Sequence, residues 1–332
     1  MTKKRIVVLS GMQPTGMLHL GNYEGALKNW VNLQNSGKYE MYFCIVDWHA
    51  LTTAYEDTSG LVDNIYHLAA DYIAAGLDPD KVTIFVQSDV KEHAELHLLL
   101  SMIAPIPWLE RVPSYKEKFE LLGLDSYGFL GYPVLQTSDI IIYRAGAVPV
   151  GKDQLPHLEL AREIVRRFNY FFGDVFPEPR ALLSQAPYIP GTDRRKMSKS
   201  YDNDICMGHA PDVIKKRVMS YYTDETKLRR GDIGHPDKCS IHALLQIYAT
   251  AETAHIKDEC ETGSAEWGCV KCKKLLLERL IETFTPFRAK REELLDDREQ
   301  LRTILEDGAN RARQRASDTM KIVNKAMKMF NS

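Results

Sequence analysis

The sequence predicts an α/β chain: a parallel sheet with helical crossovers comes first and a helical domain follows. Two observations predict it. Short apolar runs alternate with helical periodicities through the first part of the chain, an order that implies parallel strands joined by crossover helices. Beyond Pro211 only helical spacing remains. Residues 6–9 are apolar and β-branched and read as a buried strand. Residues 10–16, with Pro14, Gly11 and Gly16, form a turn. Residues 22–33 carry apolar side chains at helical spacing. Residues 41–46 read as a second strand, 61–75 as a helix stopped at Gly76, and 82–86 as a third strand. From His93 helical patterns dominate. Residues 135–143 are apolar around Asp139, and 157–168 are amphipathic. Pro177, Pro179, Pro187 and Pro190 mark a loop that ends on residues 191–200, and 275–284 and 316–329 read as amphipathic helices. We therefore expect a Rossmann-like domain over residues 1–203, with a helical insertion at about 111–178. A helical domain is expected over residues 204–332.

The net charge of −2 announces no global nucleic-acid field, although a local patch is left open. The basic N-terminus, Met1-Thr2-Lys3-Lys4-Arg5, precedes an apolar run too short for a signal-peptide core. No apolar run approaches the ~20 residues that span a bilayer. A cytoplasmic location is the expectation, and the cysteines read as reduced thiols or metal ligands.

Two segments carry chemistry. The first, residues 11–22, lies between a strand and a helix and contains His19-Leu20-Gly21-Asn22. A helix N-terminus beyond a parallel strand offers free N–H groups to phosphates. His19 and Asn22 add donors. By itself this segment also fits an ordinary turn with a surface histidine. The second is Lys196-Met197-Ser198-Lys199-Ser200, whose lysines and serines suit a polyphosphate. Alone, it also fits a solvated basic loop. Together the two resemble the paired signatures of class I aminoacyl-tRNA synthetases.

Further segments extend the resemblance over nearly the whole chain. Gly-Met-Gln-Pro-Thr-Gly at 11–16, Gly-Asn-Tyr at 21–23, Asp47-Trp48-His49-Ala50 and residues 148–154 look like bacterial tryptophanyl-tRNA synthetases. That resemblance implies activation of L-tryptophan with ATP and Mg²⁺ to an adenylate, then transfer to tRNA(Trp) by a homodimer. It implies an ATP site at Gln13, Thr15, His19, Gly21, Asn22, Gly151, Asp153, Lys196, Met197, Ser198, Lys199 and Ser200. Lys196, Lys199 and His19 would carry catalysis by charge stabilisation. The tryptophan site would comprise Leu9, Gln13, His49, Tyr132, Gln136, Asp139, Ile140, Val148, Val150 and Gln154.

Tyr132, Gln136 and Asp139 share a helix face at i, i+4 and i+7. A carboxylate in an apolar run needs a partner. Asp139 could cap a helix or pair with an arginine; by resemblance it accepts the indole N–H. Tyr132, Gln136 and Gln154 match positions near the substrate ammonium. Tyrosyl enzymes, the main competitor, usually place a tyrosine where this chain has Leu9, which suits an indole face. Lys152 departs from the family's Gly-Glu-Asp-Gln. Other readings are a non-catalytic paralogue, although both motifs are kept, and a nucleotidyltransferase lacking a helical RNA-reading domain.

Cys239, Cys260, Cys269 and Cys272 are spaced C-x20-C-x8-C-x2-C, a set able to hold zinc or an iron–sulfur cluster. A subset of the same family carries a similar set on a [4Fe–4S] cluster, and residues 267–274 look like that subset. Cys44 and Cys206 stand apart. Finally, Arg311, Arg313, Arg315, Lys321, Lys325 and Lys328 against Asp318 suggest a basic helix face for RNA phosphates, or a solvated one.

Overall fold

The computed structural model describes residues 5–183, 187–227, 229, 231–264 and 266–330, with the side chains of 118, 121 and 122 left aside. The basic residues 1–4 lie outside the described residues. Two compact units emerge. One comprises residues 1–16, 29–185 and 294–332, the other 17–28 and 186–293.

The first unit is built on five parallel strands in the order β3-β2-β1-β4-β5. They are β1 Ile6–Met12, β2 Tyr39–Ile45, β3 Thr83–Val86, β4 Ala147–Val150 and β5 Arg180–Leu183. The first three run close to where the sequence predicts strands. Both faces of β2 and β3 are covered, so they read as unbroken apolar runs. The other two strands carry no such signal. Both are short, and Pro149 deprives β4 of a ladder donor. Because β4 falls inside residues 111–178, that stretch is not one helical insertion. Helices Glu92–Ser101, Ile106–Glu110, Pro113–Leu122 and Tyr127–Ile142 precede β4, and Leu155–Phe172 follows it. Strand order reverses between β1 and β4. The turns after these two strands therefore flank the crevice where such sheets bind ligands.

The boundary expected at residue 203 does not coincide with the division into units. The C-terminal helix Arg298–Ala326 belongs with the sheet. Its Gly308 passes so close to β3 that a Cβ there would stand 1.8 Å from the Ile84 carbonyl oxygen. Ala309, Ala312 and Ala316 are buried beside it. The arginines read as a basic face also hold backbone carbonyls of the sheet unit, although Arg311 and Arg313 stay exposed and Arg315 is half-buried. Arg311 donates to the carbonyls of Pro79 (2.9 Å) and Val82 (3.2 Å), and Arg313 to that of Asp89 (2.6 Å). Arg315 donates to the Tyr143 carbonyl (2.8 Å) and the Glu40 carboxylate (3.0 Å). Lys321 pairs at the surface with Asp318. Charge periodicity cannot separate a phosphate-facing stripe from one that ties down strand ends.

The second unit contains helices Leu20–Asn22, Pro211–Ser220, Ser240–Tyr248, Thr250–Glu261 and most of Cys269–Asp296. Ile214, Val218, Leu244, Leu245, Leu276 and Leu280 are buried in it. Among the described residues, no helix is long and apolar enough to cross a membrane.

Candidate active site

A buried carboxylate organises the first unit. Helix Tyr127–Ile142 begins at Ser126, whose hydroxyl accepts the Phe129 N–H at 3.2 Å. The helix carries Asp139, 3% exposed, into the interior. Asp139 Oδ1 accepts from Gln87 Nε2 (2.7 Å) and His93 Nδ1 (2.7 Å), and Oδ2 accepts from His49 Nε2 (2.8 Å). Burial pushes this carboxyl up, but hydrogen bonds and charge from His49 and His93 outweigh it and hold Asp139 well below the usual range. Asp139 therefore neither caps a helix nor pairs with an arginine. An ionised carboxylate only accepts, so His93 Nδ1 and His49 Nε2 carry the protons. His93 Nε2 in turn meets the Tyr143 hydroxyl at 2.7 Å. Of the ~four acceptor directions of a carboxylate, one on Oδ2 meets no donor among the described residues.

Leu9, Ile140 and Val148 lie in one apolar cluster with residues of this helix, and Val150 packs against it. The Tyr132 hydroxyl meets Ser114 Oγ (2.5 Å) and His157 Nε2 (2.9 Å) rather than Asp139. Gln136 is half-buried on the same helix. After β4, Gly151 leads into the turn Lys152–Gln154, where Gln154 donates to Asp153 at 2.9 Å and Lys152 is exposed. After β1, the Thr15 N–H closes a tight turn on the Gln13 carbonyl at 2.9 Å.

The second unit holds the other motif. His19 caps helix Leu20–Asn22: its Nδ1 accepts the Gly21 N–H at 3.0 Å, and its own N–H donates to Asn22 Oδ1 at 3.1 Å. A Cβ at Gly21 would sit 2.8 Å from the His19 ring, so this cap requires glycine. Burial lowers the His19 pKa to about 4, helped by Lys199 and Lys196 and opposed by Asp204. The imidazole is thus neutral near pH 7. With Nδ1 accepting, its proton sits on Nε2, where it can be donated to a ligand oxygen. The backbone of Leu18 and Leu20 pairs with Met207 and Ile205. This fastens the histidine turn to the chain just after the lysine loop.

Within that loop Met197 is buried while Lys196 and Ser200 are exposed and Ser198 and Lys199 are half-buried. Its anchor is Asn203, 1% exposed. Asn203 Oδ1 accepts the Ser198 N–H (2.8 Å), and Nδ2 donates to Asp193 (2.6 Å) and to the Lys196 carbonyl (3.2 Å). Lys196 and Lys199 thus stand close enough to His19 for their charges to act on its ring.

Cys239, Cys260, Cys269 and Cys272 line one cavity in this unit, with Lys227 and Trp267. All four are free thiols. Burial first, and then the other three thiols, push Cys272 up to about 12 against the opposing charge of Lys227. Among the described residues, no three of these sulfurs lie mutually within 4.8 Å.

Sequence reasoning missed Gln87, His93, Tyr143 and Asn203. Gln87 directly follows β3, at the strand end where ligands gather, and that placement was a usable signal. His93 and Tyr143 have no local signature, because their partners are remote in sequence; Asn203 holds a loop only five to ten residues away, and one asparagine in a polar loop is no signal.

Comparison with known proteins identifies the family. Residues 1–285 match the family of tRNA synthetases class I (W and Y). The tryptophan–tRNA ligase of Thermotoga maritima is 46% identical over 328 residues, covering 97% of this chain and 99% of that protein. The tryptophan–tRNA ligase of Aquifex aeolicus is 40% identical, with 97% and 99% covered. The tryptophanyl-tRNA synthetase from Campylobacter jejuni, complexed with ADP and tryptophan, superposes with a TM-score of 0.89. It is 36% identical, with 98% of this chain and 100% of that one covered. The chain belongs to the bacterial tryptophanyl-tRNA synthetases, within class I of the tRNA synthetases.

Proposed function

We propose that this tryptophan–tRNA ligase recognises its amino acid by donation of the indole N–H to Asp139 Oδ2. The observation that carries the reading is the buried, ionised Asp139 with one acceptor direction left. Leu9, Ile140, Val148 and Val150 supply the apolar surround, and His49 orients the carboxylate. Tyr132, Gln136, Gln154 and Gln13 hold the ammonium end. A site built around a substrate's polar group rejects analogues lacking it by ~10⁴ to 10⁵.

The tryptophan carboxylate attacks the ATP α-phosphate; the C–O–P bond forms as pyrophosphate leaves. The nucleophile is already ionised, so positioning and charge stabilisation do the catalysis. Lys196 and Lys199 neutralise charge on the transferring phosphoryl, and His19 donates Nε2–H. Asn22 shapes the turn. Thr15, Gly21, Gly151, Asp153, Met197, Ser198 and Ser200 complete the ATP site, and Mg²⁺ bound with ATP would supply further positive charge to the phosphates. A ribose hydroxyl of the terminal adenosine of tRNA(Trp) then takes the tryptophanyl group. Helices between residues 204 and 293 read the anticodon, in a cytoplasmic homodimer.

The four cysteines fit a [4Fe–4S] cluster, which when bound supplies a four-thiolate cross-link among remote segments. That all four thiols line one cavity supports a shared metal site, and the likeness of residues 267–274 to the cluster-bearing subset favours the cluster over zinc. Absorbance near 400 nm that disappears in Cys272→Ser supports the cluster; a colourless protein with stoichiometric zinc rejects it.

The deciding experiment is ATP–pyrophosphate exchange with each of the twenty amino acids. Exchange driven by tryptophan alone supports the pocket. Exchange driven by tyrosine overturns the assignment of Asp139 and Leu9, and no exchange at all favours a non-catalytic paralogue.

A further inference from the structure

We propose that His93 is a positioning residue for tryptophan selection, and that Tyr143 and Arg315 of the C-terminal helix hold it in place. This rests on the reading that Asp139 accepts the indole N–H. Asp139 can serve one indole only if its plane is fixed and its other acceptor directions are closed. Gln87 and His93 close Oδ1, and His49 takes half of Oδ2. His93 is 0% exposed, so no bulk water replaces its hydrogen bond.

What fixes His93 is the Tyr143 hydroxyl at Nε2, 2.7 Å away. Tyr143 is itself held from behind. Its ring stacks on Tyr42, with centroids 4.7 Å apart and planes at 18°. The Tyr42 hydroxyl donates to Glu40 Oε1 at 2.9 Å. Arg315 donates to that same oxygen at 3.0 Å and to the Tyr143 carbonyl at 2.8 Å. One guanidinium therefore ties the Tyr143 backbone and, through Glu40, the Tyr42 hydroxyl, and Tyr143 as a rigid body carries that anchoring from the C-terminal helix to His93 and Asp139. Arg313 reinforces the other arm, since it donates to the Asp89 carbonyl at 2.6 Å in the short turn that carries Gln87.

A purely structural role for these residues predicts lower stability and equal effects on every amino-acid substrate. Positioning predicts an effect confined to substrates with an indole N–H. The test is ATP–pyrophosphate exchange by the full chain. Substrates are tryptophan and L-3-(benzothiophen-3-yl)alanine, in which sulfur replaces N–H. Variants are Asp139→Asn, His93→Leu, His93→Asn, Tyr143→Phe and Arg315→Met. His93→Leu is expected to raise the KM for tryptophan by about ten- to a hundredfold, the range for a lost bond to a charged acceptor. His93→Asn, whose amide can stand near the lost Nδ1, recovers most of that. Tyr143→Phe and Arg315→Met raise it by roughly three- to tenfold. For the benzothiophene analogue the same variants change KM by less than about twofold, because the missing N–H has already removed what they disturb.

If Asp139→Asn affects tryptophan and analogue alike, the reading of Asp139 itself fails. If Asp139→Asn is selective for tryptophan but Tyr143→Phe and Arg315→Met are silent or unselective, that reading stands and the proposal is overturned. Tyr143→Phe removes a single oxygen and keeps the stack, so it tests the contact with His93 without repacking the core.

Discussion

Gly308→Ala tests how the C-terminal helix is seated on the sheet. Two effects oppose each other. In an ordinary helix interior, alanine is favoured over glycine by about 1 kcal/mol. Here the added Cβ would meet the Ile84 carbonyl oxygen at 1.8 Å and its carbon at 2.8 Å. Real contacts of this kind do not fall below 3.0 Å, so the helix must retreat from β3 by about 1.2 Å. The obstacle is strand backbone, which cannot swing aside as a side chain does. We therefore take the upper end of the overpacking range, about 3 kcal/mol, and expect a net loss of about 2 kcal/mol. The same shift displaces the backbone that carries Arg311, Arg313 and Arg315 from the acceptors they now meet at 2.6 to 3.2 Å and weakens those bonds. The variant should thus unfold at lower urea, melt roughly 2–4 °C lower per kcal/mol, and show a raised KM for tryptophan. Gly128→Ala is the control: nothing stands within 4 Å of its Cβ, and it sits in the first turn of a helix, so it should stabilise slightly. A Gly308→Ala protein as stable as the parent would refute the close approach and the reasoning built on it.

Other consequences concern the second unit. Asn203→Ala removes the buried anchor of the lysine loop and should raise the KM for ATP by about five- to a hundredfold while tryptophan binding is unchanged. Equilibrium dialysis with tryptophan alongside ATP-dependent exchange separates the two. Lys199→Ala should slow adenylate formation by about 10² to 10³, far more than it weakens tryptophan binding, as read by single-turnover kinetics. His19 contributes a pH dependence of definite sign. Its pKa is lowered from 6.5 to about 4, so between these values the unfolded chain binds more protons than the folded one. Its stabilising contribution is complete above pH 6.5 and lost as pH falls toward 4. His19→Gln should flatten the stability slope in that window and leave it unchanged above pH 7.

A strand, a turn and a helix start are local, so residues 6–22 announced their structure through β-branching, glycine and a capping pattern. The lysine loop and the cysteine spacing were legible because their residue types are rare together. Asp139 was legible as a problem: a charge in an apolar helix demands a partner. Which partners answered it was decided only in three dimensions. Gln87, His93 and His49 come from three separate segments, brought together by the packing of Glu92–Ser101 and Asp47–Ala54 on Tyr127–Ile142. Strands β4 and β5 escaped notice because β4 carries a proline, and β5 is only partly buried and lacks the β-branched apolar run that marks β3. The fate of Arg311, Arg313 and Arg315 was likewise invisible. Their charge pattern fits solvent, phosphate or backbone carbonyls equally well, and only the folded chain shows that they reach carbonyls while Arg311 and Arg313 stay exposed. The sequence by itself determined the chemistry available to the site; the tertiary structure decided which groups meet, because hydrogen bonds between segments remote in the chain leave no trace in local pattern.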